Sequence, residues 1–334
     1  MKKLLKKLTE TFGPSGYEEN VRNLIRAEVK PYADEIRVDA LGNLIVRKKP
    51  TKQTKNTKKI MVAAHMDEIG LIVSHVDDNG FVRFSSLGFV FRKYVPGGRV
   101  RFLNGTCGVL GYDNHDNINE LPALDKVYID VGATSRKECP VKVGDVAAFD
   151  RTFVEMGNKL VAKSMDDRVG VLVVIEALRA LKSTPNDVYF VFTVQEEVGT
   201  RGATTSAYGI DPDIGIAVDI TPSGDTPDSL KVEMALGKGP CIKIKDLYAI
   251  SDPRVVQWMI RAAEKNKIPY QREVINVGGT DARAIQLVRA GVPVGSITLA
   301  TRYSHSPSEM VDYTDVQNSV KLLTVLLRAP ADLG

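Results

Sequence analysis

Cysteine is scarce in this sequence. Cys107, Cys139 and Cys241 are widely spaced, odd in number and never arranged as Cys-x-x-Cys. That excludes a disulfide framework and a cysteine-ligated structural zinc site, and it fits reduced thiols in a cytoplasmic protein. Long apolar runs are also missing. The most apolar helical stretch, VGVLVVIEALRAL, is too short to span a bilayer and contains Glu176. The opening MKKLLKKLTETFG is basic but has no signal-peptide core; Leu4, Leu5 and Leu8 lie instead on one face of a short amphipathic helix. No membrane contact is expected. There is no Gly-x-Ser-x-Gly elbow, no Gly-x-Gly-x-x-Gly loop and no P-loop motif, and no cysteine has an evident partner that would make it a nucleophile. Acid is absent from RKKPTKQTKNTKK, residues 47 to 59; without its seven Lys and Arg the net charge of +4 becomes −3. Aromatics are absent there too, so the segment reads as a solvated loop, and no nucleic-acid partner is expected.

What remains is an ordinary soluble composition, 43% hydrophobic and 26% charged, in 334 residues, enough for two domains. Residues 1 to about 68 alternate helix and strand. Ser15 and Glu18 fit a capping box ahead of the helix EENVRNLIRAEVKPY. Residues from about 69 to 163 change to short alternating segments separated by Asp, Asn and Gly turns, the pattern of a small all-β module. From about 164 helices alternate with near-continuous apolar strands, which implies a sheet buried on both faces. The β module therefore reads as an insertion into one α/β domain.

The α/β strands end in acids and histidines. IMVAA leads to His65 and Asp67, YFVFTV to Glu196 and Glu197, IGIAV to Asp219, and GSITLATRY to His305; the pair Asp166-Asp167 precedes a helix. Ligands bind at the carboxyl ends of strands in open α/β sheets. Each element alone has a bland reading, as a turn residue, a helix cap or a loop histidine. Together they suit two divalent cations: histidine and carboxylate without cysteine favour zinc, cobalt or manganese. The two other histidines, His75 and His115, sit among turn residues and read as surface or structural. Of the adjacent glutamates, one can bind metal while its neighbour moves a proton. Neighbouring side chains of a strand point to opposite faces, so the chain must leave strand geometry at Gln195-Glu196.

The segments AAHMDEIG, AKSMDDRVG, TVQEEVGTRGA, AVDIT and RYSHSPSE, in this order, resemble the M42 family of metallo-aminopeptidases, some of whose members carry an endoglucanase label. The resemblance runs over nearly the whole chain. It implies an α/β fold with a mixed central sheet flanked by helices, of the phosphorylase/hydrolase-like zinc-peptidase kind. Residues 1–68 plus 164–334 would form the catalytic domain, and 69–163 an inserted β dimerisation domain. His65 and Asp219 would bind one ion, Glu197 and His305 the other, and Asp166 would bridge them, with a cis peptide after Asp166. Glu196 would be the general base acting on a metal-bridging water, and Asp67 would orient the His65 imidazole. Zinc or cobalt is the expected ion pair, and manganese also suits the ligands. The implied partners are peptides, cleaved at their N-terminal residue, and further copies of the chain, six dimers forming a hollow tetrahedral dodecamer. The loop NVGGTDA, residues 276–282, borders the substrate site in related enzymes, which makes Thr280 and Asp281 candidate contacts; a plain glycine turn with Thr280 as helix cap is the alternative. Two other readings compete. A glycosidase needs only two carboxylates, and leaves the histidines and three acid clusters unused. A non-catalytic peptide-binding assembly protein has no need of a full ligand set.

Overall fold

The computed structural model describes residues 1–113, 120–227 and 229–334; His115 lies outside them. In chain order the elements are α1 (Lys2–Glu10), α2 (Glu19–Val29), β1 (Glu35–Val38), β2 (Leu44–Lys48), β3 (Lys59–His65), β4 (Gly70–Val76), β5 (Val82–Leu87), β6 (Arg99–Phe102), β7 (Cys107–Tyr112), β8 (Val127–Asp130), β9 (Val146–Phe149), β10 (Val154–Met156), β11 (Lys159–Ala162), α3 (Met165–Ala180), β12 (Asp187–Thr193), α4 (Arg201–Ile210), β13 (Ile214–Pro222), β14 (Cys241–Lys245), α5 (Pro253–Lys265), β15 (Gln271–Val274), α6 (Ala282–Gln286), β16 (Val294–Thr301), β17 (Glu309–Asp312) and α7 (Tyr313–Arg328).

Eight strands form one mixed sheet in the order β1-β2-β12-β3-β13-β16-β14-β15. Its centre, β12-β3-β13-β16, is parallel, while β2 and β14 run antiparallel to their inner neighbours. Apolar strands without alternation are read correctly as buried on both faces. On β3, Ile60, Val62 and Ala64 join the large core beneath α3 and α7, while Met61 and Ala63 pack with α4 and α6 on the other side. The all-β stretch divides in two. Strands β4, β5, β8, β7, β6 and β9 close a barrel around Leu71, Val82, Val100, Phe102 and Ile129. The hairpin β10–β11 leaves it and pairs with β17 beside the C-terminal helix. Among the described residues no helix is long and apolar enough to cross a membrane. The three cysteines are free, and His75 is exposed.

One local expectation fails. Ser15 and Glu18 do not form a capping box. Helix α2 begins at Glu19 and its N-cap, Glu18, makes no side-chain cap bond. Ser15 Oγ donates to Asp67 at 2.6 Å instead, and Glu18 accepts from the Gly16 and Gln195 N–H groups at 2.7 and 3.1 Å. Buried polar groups under the strand ends need partners more than a helix end does, because the helix end can reach water.

Helix α4 presses on the end of β12 through Gly202. A Cβ there would lie 2.2 Å from Asn43 Oδ1 and 2.5 Å from the Val194 carbonyl. Asn43 accepts from Val194 N–H at 3.0 Å and donates to the Gly202 carbonyl at 3.0 Å, so it has little freedom to move. Gly202→Ala is expected to cost about 1–3 kcal/mol by overpacking, read as a lower urea midpoint; a wild-type midpoint would contradict this packing.

Candidate active site

The parallel strands β12, β3, β13 and β16 lie side by side, so their carboxyl ends open on one place. His65 ends β3, Asp219 lies near the end of β13, and His305 follows β16. Asp166 comes from the first turn of α3, where residues 166 and 167 have non-helical backbone angles and the peptide between them is cis. Asp166 lies between the two imidazoles. Asp166 Oδ1 is 2.9 Å from His65 Nε2 and Asp166 Oδ2 is 3.3 Å from His305 Nε2. Asp219 lies 4.0 Å from His65 Nε2, and Glu197 lies 3.8 Å from His305 Nε2. Asp167 is also near His65 and Asp219, but its two oxygens accept the His65 and Gly170 N–H groups at 3.3 and 3.0 Å.

Both imidazoles are oriented through Nδ1. His65 Nδ1 lies 3.1 Å from the Asp67 carbonyl oxygen, and His305 Nδ1 lies 2.6 Å from the Phe89 carbonyl oxygen. A carbonyl only accepts, so each Nδ1 carries a proton. Each Nε2 is left facing Asp166, so either a proton or a metal cation must sit between ring and carboxylate. Two histidines and several carboxylates converge here without cysteine, a set of the kind zinc, cobalt or manganese takes. The donor set therefore suits metal, with the outward nitrogens fixed as metal-site histidines ordinarily are.

The adjacent glutamates are resolved by a kink. Strand β12 stops at Thr193, and Gln195 takes the left-handed conformation, φ +55°. Such a backbone is costly for a non-glycine residue and persists only where its surroundings hold it. Here Glu18 holds Gln195 N–H, while Asp67 accepts the Glu196 and Glu197 N–H groups at 3.0 and 3.2 Å. The Asp67 carboxylate is 3.5 Å from His65 Nδ1. It thus ties the histidine to the glutamate turn, besides facing the ring. The kink lets both Glu196 and Glu197 line one cavity with His65, Asp166, Asp219 and His305.

The electrostatics follow from so many acids in a small buried space. Burial raises the pKa of Asp219, Asp167 and Glu196, reinforced by Asp166 at the first, Asp219 at the second, and Asp219 with Asp281 at the third. Burial also pushes Glu197 up to about 7. Asp166 goes the other way: burial works against its charge, but the two histidines outweigh it and hold its carboxyl low. Burial likewise opposes charge on His305, yet Glu197 and Asp166 drive its pKa up to about 11. The cavity draws in positive charge.

That cavity has a volume of about 610 Å3. Thr280 and Asp281 do not line it. They lie beneath, Thr280 against Ser296 at 3.3 Å and Asp281 accepting from Thr193 Oγ1 at 2.5 Å. Their neighbours Gly278, Gly279 and Arg283 reach the cavity. Sequence reasoning also missed three supports. Glu309, buried, accepts the Asp166 and His305 N–H groups at 3.0 and 2.7 Å, tying two remote segments together. Phe89 and Phe91, carried by the loop after β5, form a wall beside His305. Their only signal was two aromatics flanking Val90 outside any strand pattern.

Comparison with known proteins agrees with this geometry. The family model described as M42 glutamyl aminopeptidase matches residues 42–322. A putative aminopeptidase of Acetivibrio thermocellus is 48% identical over 322 residues, covering 96% of each chain. The structure of an aminopeptidase from the archaeon Desulfurococcus kamchatkensis superposes with a TM-score of 0.94 at 42% identity, over 99% of this chain and 95% of that one. The TET1 peptidase of Pyrococcus horikoshii, described as able to assemble into a tetrahedron or a large octahedral shell, gives 0.87 at 34% identity over 98% of both chains. With the family model spanning most of the sequence and close relatives spanning nearly all of it, the chain belongs to the M42 family of peptidases and is a hydrolase acting on peptides.

Proposed function

We propose that the chain is a dinuclear metal-dependent aminopeptidase that removes N-terminal residues from peptides. The observation that carries this reading is the convergence of two imidazole Nε2 atoms on one carboxylate, Asp166, with Asp219 and Glu197 beside them. His65 and Asp219 would hold one divalent cation, Glu197 and His305 the other, with Asp166 shared; zinc or cobalt suits this set, as does manganese. When bound, the ions would supply Lewis acidity toward the scissile carbonyl and toward water. Glu196 does the proton work. Its carboxylate lines the cavity and no side-chain hydrogen bond ties it down among the described residues, while burial raises its pKa toward that of a usable base. It takes a proton from the attacking water and returns it to the leaving amine as the C–N bond breaks. Asp67 sets the spacing of this base from the ligands by gripping both glutamate N–H groups. The acidic lining also receives the charged α-amine of a peptide.

The mixed sheet with helices on both faces fits the phosphorylase/hydrolase-like zinc-peptidase fold. Residues 1–68 and 164–334, joined by the hairpin β10–β11, would be its catalytic domain, and the barrel within 69–163 a dimerisation module. Leu103, Val109 and Val143 stand 54%, 50% and 59% exposed in that segment, apolar surface that a second copy would cover. Likeness to a TET1 peptidase solved as a dodecamer supports a dodecamer here, in which such modules would pair as dimers, and the free thiols suit the cytoplasm. The test is release of nitroaniline from aminoacyl-nitroanilides. Exhaustive chelation is expected to abolish it and added divalent metal to restore it. Activity surviving metal removal, or metal-independent cleavage of a β-glucan in its place, would overturn the reading.

A further inference from the structure

Besides its imidazoles, the cavity over the active site is lined by two cationic side chains, Lys243 and Arg283. Lys243 is buried and already matched. Its Nζ lies 2.9 Å from Glu273 and 3.6 Å from Asp246. Arg283 is different. Its guanidinium lies over the Tyr248 ring, 4.3 Å from the centroid. Five arginines stack on tyrosines in this way among the described residues. Arg47, Arg83, Arg179 and Arg289 each also pair with a carboxylate, namely Asp187, Asp113, Glu28 and Asp211. Among the described residues Arg283 has the tyrosine and no carboxylate, though it is half-buried.

The platform beneath it is built. Asp246 accepts the Tyr248 and Ala249 N–H groups at 2.8 and 2.7 Å, which fixes the turn that carries the ring. Gly279 leaves room for the ring, since a Cβ there would come within 2.8 Å of Tyr248 Cδ2. A guanidinium is always charged, and stacking occupies only its face. The N–H fork at its edge stays free, in the geometry that meets a carboxylate with two parallel bonds.

We infer that Arg283 is a carboxylate receptor for the peptide substrate, completing with the substrate the pair that the other stacked arginines complete within the chain. The inference rests on the peptidase reading above. The carboxylate has two sources, the side chain of an N-terminal Glu or Asp, or the free C-terminus of a short peptide. Arg283 is then a specificity-determining residue, and it disfavours a substrate that places a second cation there.

The experiment compares wild type with Arg283→Ala, Arg283→Lys and Arg283→Glu, each first checked for native circular dichroism. One arm measures kcat/KM on Glu-, Leu- and Lys-nitroanilide, which have no free C-terminal carboxylate. The other uses Leu-Gly-Gly and its C-terminal amide. Arg283→Ala is expected to lower the Glu/Leu ratio or the acid/amide ratio about 10- to 100-fold, chiefly through KM, as loss of a charge-assisted hydrogen bond does. The first result assigns the side chain, the second the C-terminus, and a fall in both assigns both. Arg283→Lys keeps the charge without the fork and falls between. If the side chain is the source, Arg283→Glu raises the Lys/Leu ratio. Both ratios staying within about twofold of wild type in Arg283→Ala would overturn the inference, being less than one such bond contributes. Normal wild-type turnover with unchanged ratios sinks the Arg283 assignment alone; wild type idle on every substrate with metal present sinks the peptidase reading and this inference with it.

Discussion

Glu196→Gln is expected to lose about 10^3- to 10^4-fold in kcat, the upper range for removing a general base, while its metal content and KM stay close to wild type. The amide keeps the shape of the side chain and cannot take a proton. The other candidate roles predict different outcomes. If Glu196 held metal, bound ions would fall with activity. If it only shaped the cavity, an isosteric amide would change little. Folding offers a further check. Burial raises the Glu196 pKa, so stability falls once pH rises above the pKa of an unfolded glutamate, where the unfolded chain ionises and the folded group does not. The penalty grows until the folded group itself ionises. Removing the titrating group relieves it, and the metal-free variant should melt no lower than metal-free wild type at neutral pH. Unchanged turnover in Glu196→Gln would remove the proposed base.

Asp166→Ala is expected to lose both ions together. Asp166 is the carboxylate that faces both imidazoles, at 2.9 and 3.3 Å, and the neighbouring Asp167 is committed to backbone donors. Neither half of the site is complete without it. Elemental analysis after dialysis should find the variant nearly metal-free and activity at background. Thermal unfolding gives an independent readout. A ligand present at about 1,000 times its Kd stabilises the folded state by about 4 kcal/mol. Added zinc should therefore raise the wild-type melting temperature and leave the Asp166→Ala midpoint in place. A variant that keeps two ions per subunit would show that Asp166 bridges nothing.

The residues that meet in the cavity were legible because buried parallel strands advertise themselves. A run such as IMVAA has no polar face, so the first polar residues after it, His65 and Asp67, stand out at the strand's carboxyl end. The oddity of adjacent glutamates likewise pointed to a break in the strand, and Gln195 at φ +55° is that break. What stayed hidden was support arriving from far along the chain. The Phe89 carbonyl meets His305 across 216 residues of sequence, and Glu309 reaches Asp166 across 143; neither has a periodicity or spacing to betray it. Ser15 and Glu18 misled because Ser-x-x-Glu serves equally well to cap a helix or to feed buried acceptors. The choice depends on what tertiary structure brings near. Strands β10, β14 and β17 were not foreseen, being only three to five residues long. The loop of Thr280 and Asp281 borders the cavity, but it turns its glycines and Arg283 to it and those two side chains inward.

The central claim is a site that works only with two ions and one free carboxylate. Its most direct test is to strip the protein of metal and titrate zinc back while following nitroanilide release. The account predicts no release at the start and a rise that levels off at two equivalents per subunit, with Glu196→Gln binding the same two equivalents in silence. Full activity before any zinc is added, or a plateau at one equivalent, would contradict it.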